Sequence, residues 1–397
     1  MTDLIAALPP GPFAQLATLL GDVKPGKEPI SLSIGDPSGQ VPAFITDALT
    51  KTVDSFGTYP TINGTADWRQ AAAGWLVSRF GLPAASIDPD RHVLPLNGTR
   101  EGLYLALFPL MPFAKGGGKP AVAMPNPFYQ AYAAAALSAG AEPIYVAATE
   151  ENDFLPDYAA LPEATLQRLV AVYICSPSNP EGASASEAYW KNLFALADRY
   201  DFTVLADECY ADIYFDRAPD CALPVRLAQS GGFARLLSFH SLSKRSGLPG
   251  LRSGILTGDA SLIARMRGFR NVAGPTLAGP ILAASAAAWR DEAHVVAIRG
   301  VYQQKMAAAE AILGHRMKKP DGGFFLWLKV GNGEETALRL WREQGVRVLP
   351  GAYMGREIEP GKTQSNPGFS YIRVALVSDL STIMTALGRV KECLDRP

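Results

Sequence analysis

Residues 238–254 read SFHSLSKRSGLPGLRSG. A β-rich run over 236–239 ends there in a loop of small residues that carries Ser241 and Ser243. Lys244 comes next, and Arg252 follows eight residues later. Hydroxyls and a guanidinium around an amine can hold a phosphate beside a nucleophile. An ordinary basic surface loop has the same composition, so the stretch alone leaves both readings open.

Outward from this loop, residues 121–124, 171–175 and 203–206 are also apolar runs of strand length without strict alternation. Such runs suit the interior of a mostly parallel sheet. Between them lie amphipathic segments such as 186–200, SEAYWKNLFALADRY, with apolar positions at helical spacing. Strands alternating with helices predict an α/β domain with helices on both faces of the sheet. After about residue 286 the pattern changes. A helical stretch over 289–313 leads to strand-like 323–330, a helix over 334–344, and strand-like 346–349 and 371–376. That predicts a smaller α+β unit. Pro9, Pro10, Gly11 and Pro12 mark an extended arm.

Bulk properties exclude several classes. With 397 residues, 48% of them hydrophobic, the chain can fill one large core and a smaller one. A net charge of −1 lacks the basic excess of a nucleic-acid binder. Cys175, Cys209, Cys221 and Cys393 form neither a CxxC pair nor a disulfide framework, and read as reduced thiols. His92, His240, His294 and His315 are scattered without a metal-binding motif. The first twenty residues lack the pattern of a signal peptide, and no apolar run reaches a membrane span, which predicts a soluble cytoplasmic protein. GDVKPGKE over 21–28 resembles a phosphate-binding loop, but no strand precedes it and Pro29 follows where a helix should continue.

Three more segments carry chemistry. ADECYADIYF over 206–215 puts Asp207 at the carboxyl end of a strand, the ligand edge of an open α/β sheet, where a carboxylate also suits a helix cap. CSPSNPEG over 175–182 places Asn179 in a Pro-bounded turn after another strand. LNGTREGL over 96–103 runs from a strand into a helix start through Gly98 and Thr99. Free backbone N–H groups there can meet a phosphate, and a plain helix start looks the same.

Together, and in this order, the four segments resemble the class I/II aminotransferases, fold-type I enzymes dependent on pyridoxal 5′-phosphate, over nearly the whole chain. SLSKRSGLPGLRSG is most similar to the lysine loop of the N-succinyldiaminopimelate aminotransferases. The resemblance implies an arm over 1–30 that joins the small domain, a large cofactor-binding domain over 31–285 and a small domain over 286–397. It implies that Lys244 carries the cofactor as a Schiff base and shuttles the substrate proton. Asp207 would face the pyridine nitrogen, and Asn179 and Tyr210 the phenolic oxygen. The phosphate would fall to Gly98, Thr99, Arg100, Ser241, Ser243 and Arg252, with Tyr129 stacked on the ring.

Tyr59, in GTYPTINGTADWR, matches a tyrosine that reaches the partner's phosphate, which implies a homodimer. Arg373, in YIRVAL, matches the arginine that grips the substrate carboxylate, while Gly35 in SIGDPSG and Asn179 line the substrate site. The implied reaction moves an amino group from glutamate to a keto or aldehyde acceptor, with N-succinyl-2-amino-6-oxopimelate the acceptor the lysine loop suggests. Another amino-acid aminotransferase, a carbon–sulfur lyase on the same scaffold, and a non-catalytic cofactor-binding regulator are the alternatives. Two departures stand out. NPEG replaces the usual NPTG, so that Glu181 is expected to add a charge near the site, and RNVAGPTLAGP over 270–280 lacks the subgroup's Tyr-His-Gly character.

Overall fold

The computed structural model describes residue 8 and residues 10–37 and 39–396. The expected arm is described only in part, because residues 1–7 and Pro9 lie outside that set. Pro12 does not extend the arm. It opens a helix, Pro12–Leu20, where its fixed φ and missing N–H cost nothing.

Twelve strands are described: β1 Ile30–Ser31, β2 Val93–Leu96, β3 Ala121–Asn126, β4 Glu142–Ala147, β5 Leu169–Cys175, β6 Thr203–Asp207, β7 Leu236–Ser241, β8 Gly254–Gly258, β9 Phe325–Lys329, β10 Val346–Arg347, β11 Leu349–Pro350 and β12 Tyr371–Ala375. Seven form the main sheet in the order β2-β8-β7-β6-β5-β3-β4, and only β8 runs against its neighbours. Every residue of β5 and β6 is buried, which is why these strands read as unbroken apolar runs. Val172 and Ile174 of β5 face one helical layer, whereas Ala171 and Tyr173 face the other. The first layer contains the fully buried Trp68, Trp190 and Trp289. Each such side chain contributes on the order of 2–3 kcal/mol of burial.

The second unit is a three-stranded antiparallel sheet, β11-β12-β9. Leu326, Leu328, Ile372 and Val374 pack onto helices Ala293–Leu313 and Leu380–Asp395. Alternation then turns Phe325, Trp327, Tyr371 and Arg373 to the opposite face. β1 pairs with β10, and Leu16 and Leu20 pack on Leu349 and Met354, so residues 12–31 lie against this unit.

Two expected elements divide. The helical stretch over 289–313 breaks at 291–292, because helix Gly279–Arg290 ends and the Asp291 carboxylate accepts the His294 N–H at 2.9 Å. Residue 286 therefore lies inside a helix whose Ala284, Ala286 and Trp289 belong to the large core. The run over 346–349 splits at the buried Val348, where the chain leaves one sheet for another.

Candidate active site

The parallel strands deliver their carboxyl ends to one place. β2 leads to Gly98 and Thr99, β3 to Tyr129, β5 to Asn179, β6 ends on Asp207, and β7 leads into the single turn Leu242–Arg245. Opposite them, the second sheet presents Phe325 and Arg373. Between the two lies a cavity of about 440 Å³, lined among others by Lys244, Asp207, Tyr210, Thr99, Arg100, Tyr129, Asn179, Ser241, Ser243, Arg252, Gly35 and Arg373.

The Ser241 hydroxyl caps the lysine turn by accepting the Ser243 N–H at 3.1 Å. Lys244 Nζ donates to the Gly35 carbonyl at 2.9 Å and lies 5.1 Å from the Phe324 ring centre. Burial depresses its pKa to about 8; Cys209 and Asp36 oppose that shift, while the Arg373 and Arg252 charges add to it. A lysine so placed can supply a neutral amine near neutrality.

Asp207 accepts the Tyr132 phenol at 2.6 Å and the Cys209 N–H at 3.3 Å. Burial raises its pKa, and these hydrogen bonds and the Lys244 charge pull against that shift. Tyr210 is buried, which pushes its phenol upward. Tyr129 receives a hydrogen bond from Arg100 and meets Tyr132 edge-on at 5.7 Å.

Arg252 adopts φ 50°, and its guanidinium donates to the Pro249 carbonyl at 3.0 Å. Gly98, at φ 80°, backs onto this guanidinium, where a Cβ would overlap it. Gly98 thus supports Arg252 and does not line the cavity. Thr99 Oγ1 lies 3.0 Å from Cys209 Sγ. At the opposite end, Arg373 donates to Asn179 Oδ1 at 3.0 Å and to the Ser33 carbonyl at 2.9 Å, with Phe325 beneath it at 4.2 Å. Burial lowers its pKa to about 10. Its Nε is buried without a hydrogen-bond partner.

Tyr59 is not brought to this cavity; its side chain is fully exposed. Glu181 also departs from expectation. Its side chain is buried along a separate cavity with Trp327 and Tyr371, and burial raises its pKa to about 8. Below that value it adds no charge, and it does not line the Lys244 cavity. The segment over 270–280 folds behind the Gly98 loop, where buried Arg270 pairs with Glu101 at 3.1 Å and Asn97 donates to the Thr276 carbonyl at 3.2 Å.

Reading the sequence missed Tyr132, Cys209, Asp36, Phe13 and Ile34, all of which line the cavity. The three-residue spacing of Tyr129 and Tyr132 at a helix start was the available signal for Tyr132. Nothing local marks Phe13 and Ile34, which arrive from the N-terminal segment. Among the described residues, no helix is long and apolar enough to cross a membrane.

The fit to pyridoxal phosphate rests on the donor set. An amine of lowered pKa shares the cavity with a buried carboxylate, a guanidinium and three aliphatic hydroxyls, and the missing side chain of Gly98 leaves room for that guanidinium. Those groups suit an aldehyde, a ring nitrogen and a phosphate.

Comparison with known proteins shows the family. The family described as Aminotransferase class I and II matches residues 27–378. An LL-diaminopimelate aminotransferase of Nitratidesulfovibrio vulgaris (strain DSM 19637 / Miyazaki F) is 31% identical, with 98% of each chain covered. The crystal structure of an aminotransferase from Neisseria meningitidis Z2491 superposes with a TM-score of 0.92 at 39% identity, covering 99% of both chains. A probable N-succinyldiaminopimelate aminotransferase from Thermus thermophilus gives a TM-score of 0.81 at 25% identity, covering 96% of this chain and 100% of that one. The chain is a transaminase with the fold-type I architecture and belongs to the class I and II aminotransferases.

Proposed function

We propose that the protein binds pyridoxal 5′-phosphate through Lys244 and transfers the amino group of glutamate to an acceptor built on the diaminopimelate skeleton. The observation that carries this reading is the convergence of Lys244, Asp207, Arg252 and Arg373 on one cavity. When bound, the cofactor supplies an electron sink for the bond broken at the substrate Cα. The protein's own groups do the rest. Asp207 keeps a proton on the ring nitrogen, and Asn179 and Tyr210 donate to the phenolic oxygen. Thr99, Ser241, Ser243, Arg252 and the backbone at Thr99 and Arg100 hold the phosphate. Each charge-assisted bond of that set contributes about 1.5–3 kcal/mol. Tyr129 covers one ring face.

Arg373 grips the substrate α-carboxylate beside Asn179 and Gly35, and Lys244 Nζ takes the proton from Cα and would deliver it to C4′ of the bound cofactor. The diaminopimelate acceptor, with N-succinyl-2-amino-6-oxopimelate its first candidate, draws support from the similarity to an LL-diaminopimelate aminotransferase and a probable N-succinyldiaminopimelate aminotransferase, and from the lysine loop. The working unit is a homodimer in which Tyr59 of each protomer completes the other's phosphate site; full exposure of Tyr59 in the single chain supports this. The division into arm, large domain and small domain stands within this reading, with the second break moved to 291–292 where the helix ends.

The test is to mix the cofactor-loaded protein with glutamate and each of a panel of keto and aldehyde acids. Formation of 2-oxoglutarate, with preference for a diaminopimelate-type acceptor, is the expected result. Ammonia and pyruvate from cystathionine, with no 2-oxoglutarate from glutamate, would replace this reading with a carbon–sulfur lyase.

A further inference from the structure

Lys244 sits on a helix of a single turn, Leu242–Arg245, too short to hold its own orientation. The fixing comes from the next two residues. Arg245 is 2% exposed, and its guanidinium lies beside the touching rings of Trp75 and Trp289, at 5.3 and 5.2 Å from their centres. It donates to the Ala288 carbonyl at 2.8 Å and the Asp291 carbonyl at 3.3 Å, and pairs with the Glu292 carboxylate. Ser246 Oγ lies 2.8 Å from His294 Nε2, and His294 Nδ1 lies 2.5 Å from Asp291 Oδ1. Apart from the Trp75 ring and an ion pair of Arg245 with Asp212 at 3.5 Å, these ties run to the junction over 288–294.

That junction starts helix Ala293–Leu313, whose Met306, Ala309 and Leu313 pack into the core of the second sheet. The same helix reaches Lys244 again from the front. Tyr302, about 12 Å along the axis from His294, stacks on Phe324 at 5.2 Å, and Phe324 is the ring beneath Lys244 Nζ. One helix therefore supports the lysine through its neighbours both from behind and from the front.

We propose that Arg245, with Ser246, is a positioning residue: it locks the Lys244 side chain to the helix that carries the second sheet, so that the two units set the lysine's angle together. A neighbour that only filled space would not need hydrogen bonds to three successive features of the junction. The inference rests on the cofactor-lysine reading of Lys244.

Two conservative disruptions test it, Ser246→Ala and Arg245→Gln, with Arg245→Lys as partial rescue. Each is loaded with pyridoxal phosphate and measured in three ways: melting temperature, the pH midpoint of the bound cofactor's absorption band, and the rate of the half-reaction with glutamate. The expected result is full cofactor loading with a band midpoint displaced by about half a pH unit and a half-reaction slowed by about tenfold or more. Arg245→Lys should lie between wild type and Arg245→Gln. Variants that lose only melting temperature, with midpoint and rate unchanged, would overturn the proposal. Should Arg245→Gln fail to fold, Ser246→Ala decides by the same two readouts. A wild-type protein that forms no such band would instead refute the cofactor reading itself.

Discussion

Lys244 illustrates how burial changes the acidity of a common residue. Its pKa falls to about 8 because the cavity desolvates the ammonium, with Arg252 and Arg373 adding repulsion. The rate at which cofactor-free protein captures pyridoxal phosphate should thus rise with pH through a midpoint near 8, read by absorbance after rapid mixing. A midpoint near 10.5, the ordinary lysine value, would contradict the account. Glu181 gives a second residue-scale prediction. Its folded pKa is raised from 4.5 to about 8, so its contribution to stability is complete below pH 4.5 and lost as pH rises through 8. The melting temperature of Glu181→Gln relative to wild type should accordingly climb across that window. A constant difference would show that the carboxyl is not held neutral. Asp207 could be singled out because a carboxylate ends its strand, and Lys244 and Arg373 because the short motifs around them, SLSKRSG and YIRVAL, are distinctive. Tyr132 has only its spacing from Tyr129 to mark it, since its hydrogen bond to Asp207 depends on which way a buried helix faces.

At the scale of elements, local pattern carried the strands well and the breaks poorly. β5 and β6 are legible because full burial on both faces leaves an uninterrupted apolar run. The gap at 291–292 is not, because arginine, aspartate and glutamate are all tolerated in helices and only the Asp291 bond to the His294 N–H marks the restart. The turn from β2 into helix Thr99–Leu105 makes a sharper case. Gly98 combines φ 80° with a guanidinium where a Cβ would stand. Gly98→Ala should push Arg252 off its place and weaken cofactor binding by about tenfold or more, the loss of one charge-assisted bond. Equilibrium titration of the cofactor-free variant measures this, and unchanged affinity would remove Arg252 from the phosphate site.

At the scale of the whole molecule, the cavity exists only because two sheets meet. The main sheet supplies Lys244 and Asp207, and the second sheet supplies Arg373. No single segment of sequence reveals such a meeting, nor the arrival of Phe13 and Ile34 from the N-terminal segment. A shared site in a homodimer predicts complementation. Lys244→Ala and Tyr59→Ala should each be impaired alone, yet recover about a quarter of wild-type turnover when mixed after dissociation, since half the dimers then hold one intact site. No recovery, with hybrid dimers present, would place Tyr59 outside the partner's site. Everything else depends on the lysine. Reduction of the pyridoxal phosphate-loaded protein with borohydride, followed by peptide mass spectrometry, should find one cofactor adduct per chain, on Lys244. An adduct on another lysine, or none at all, would contradict the account at its root.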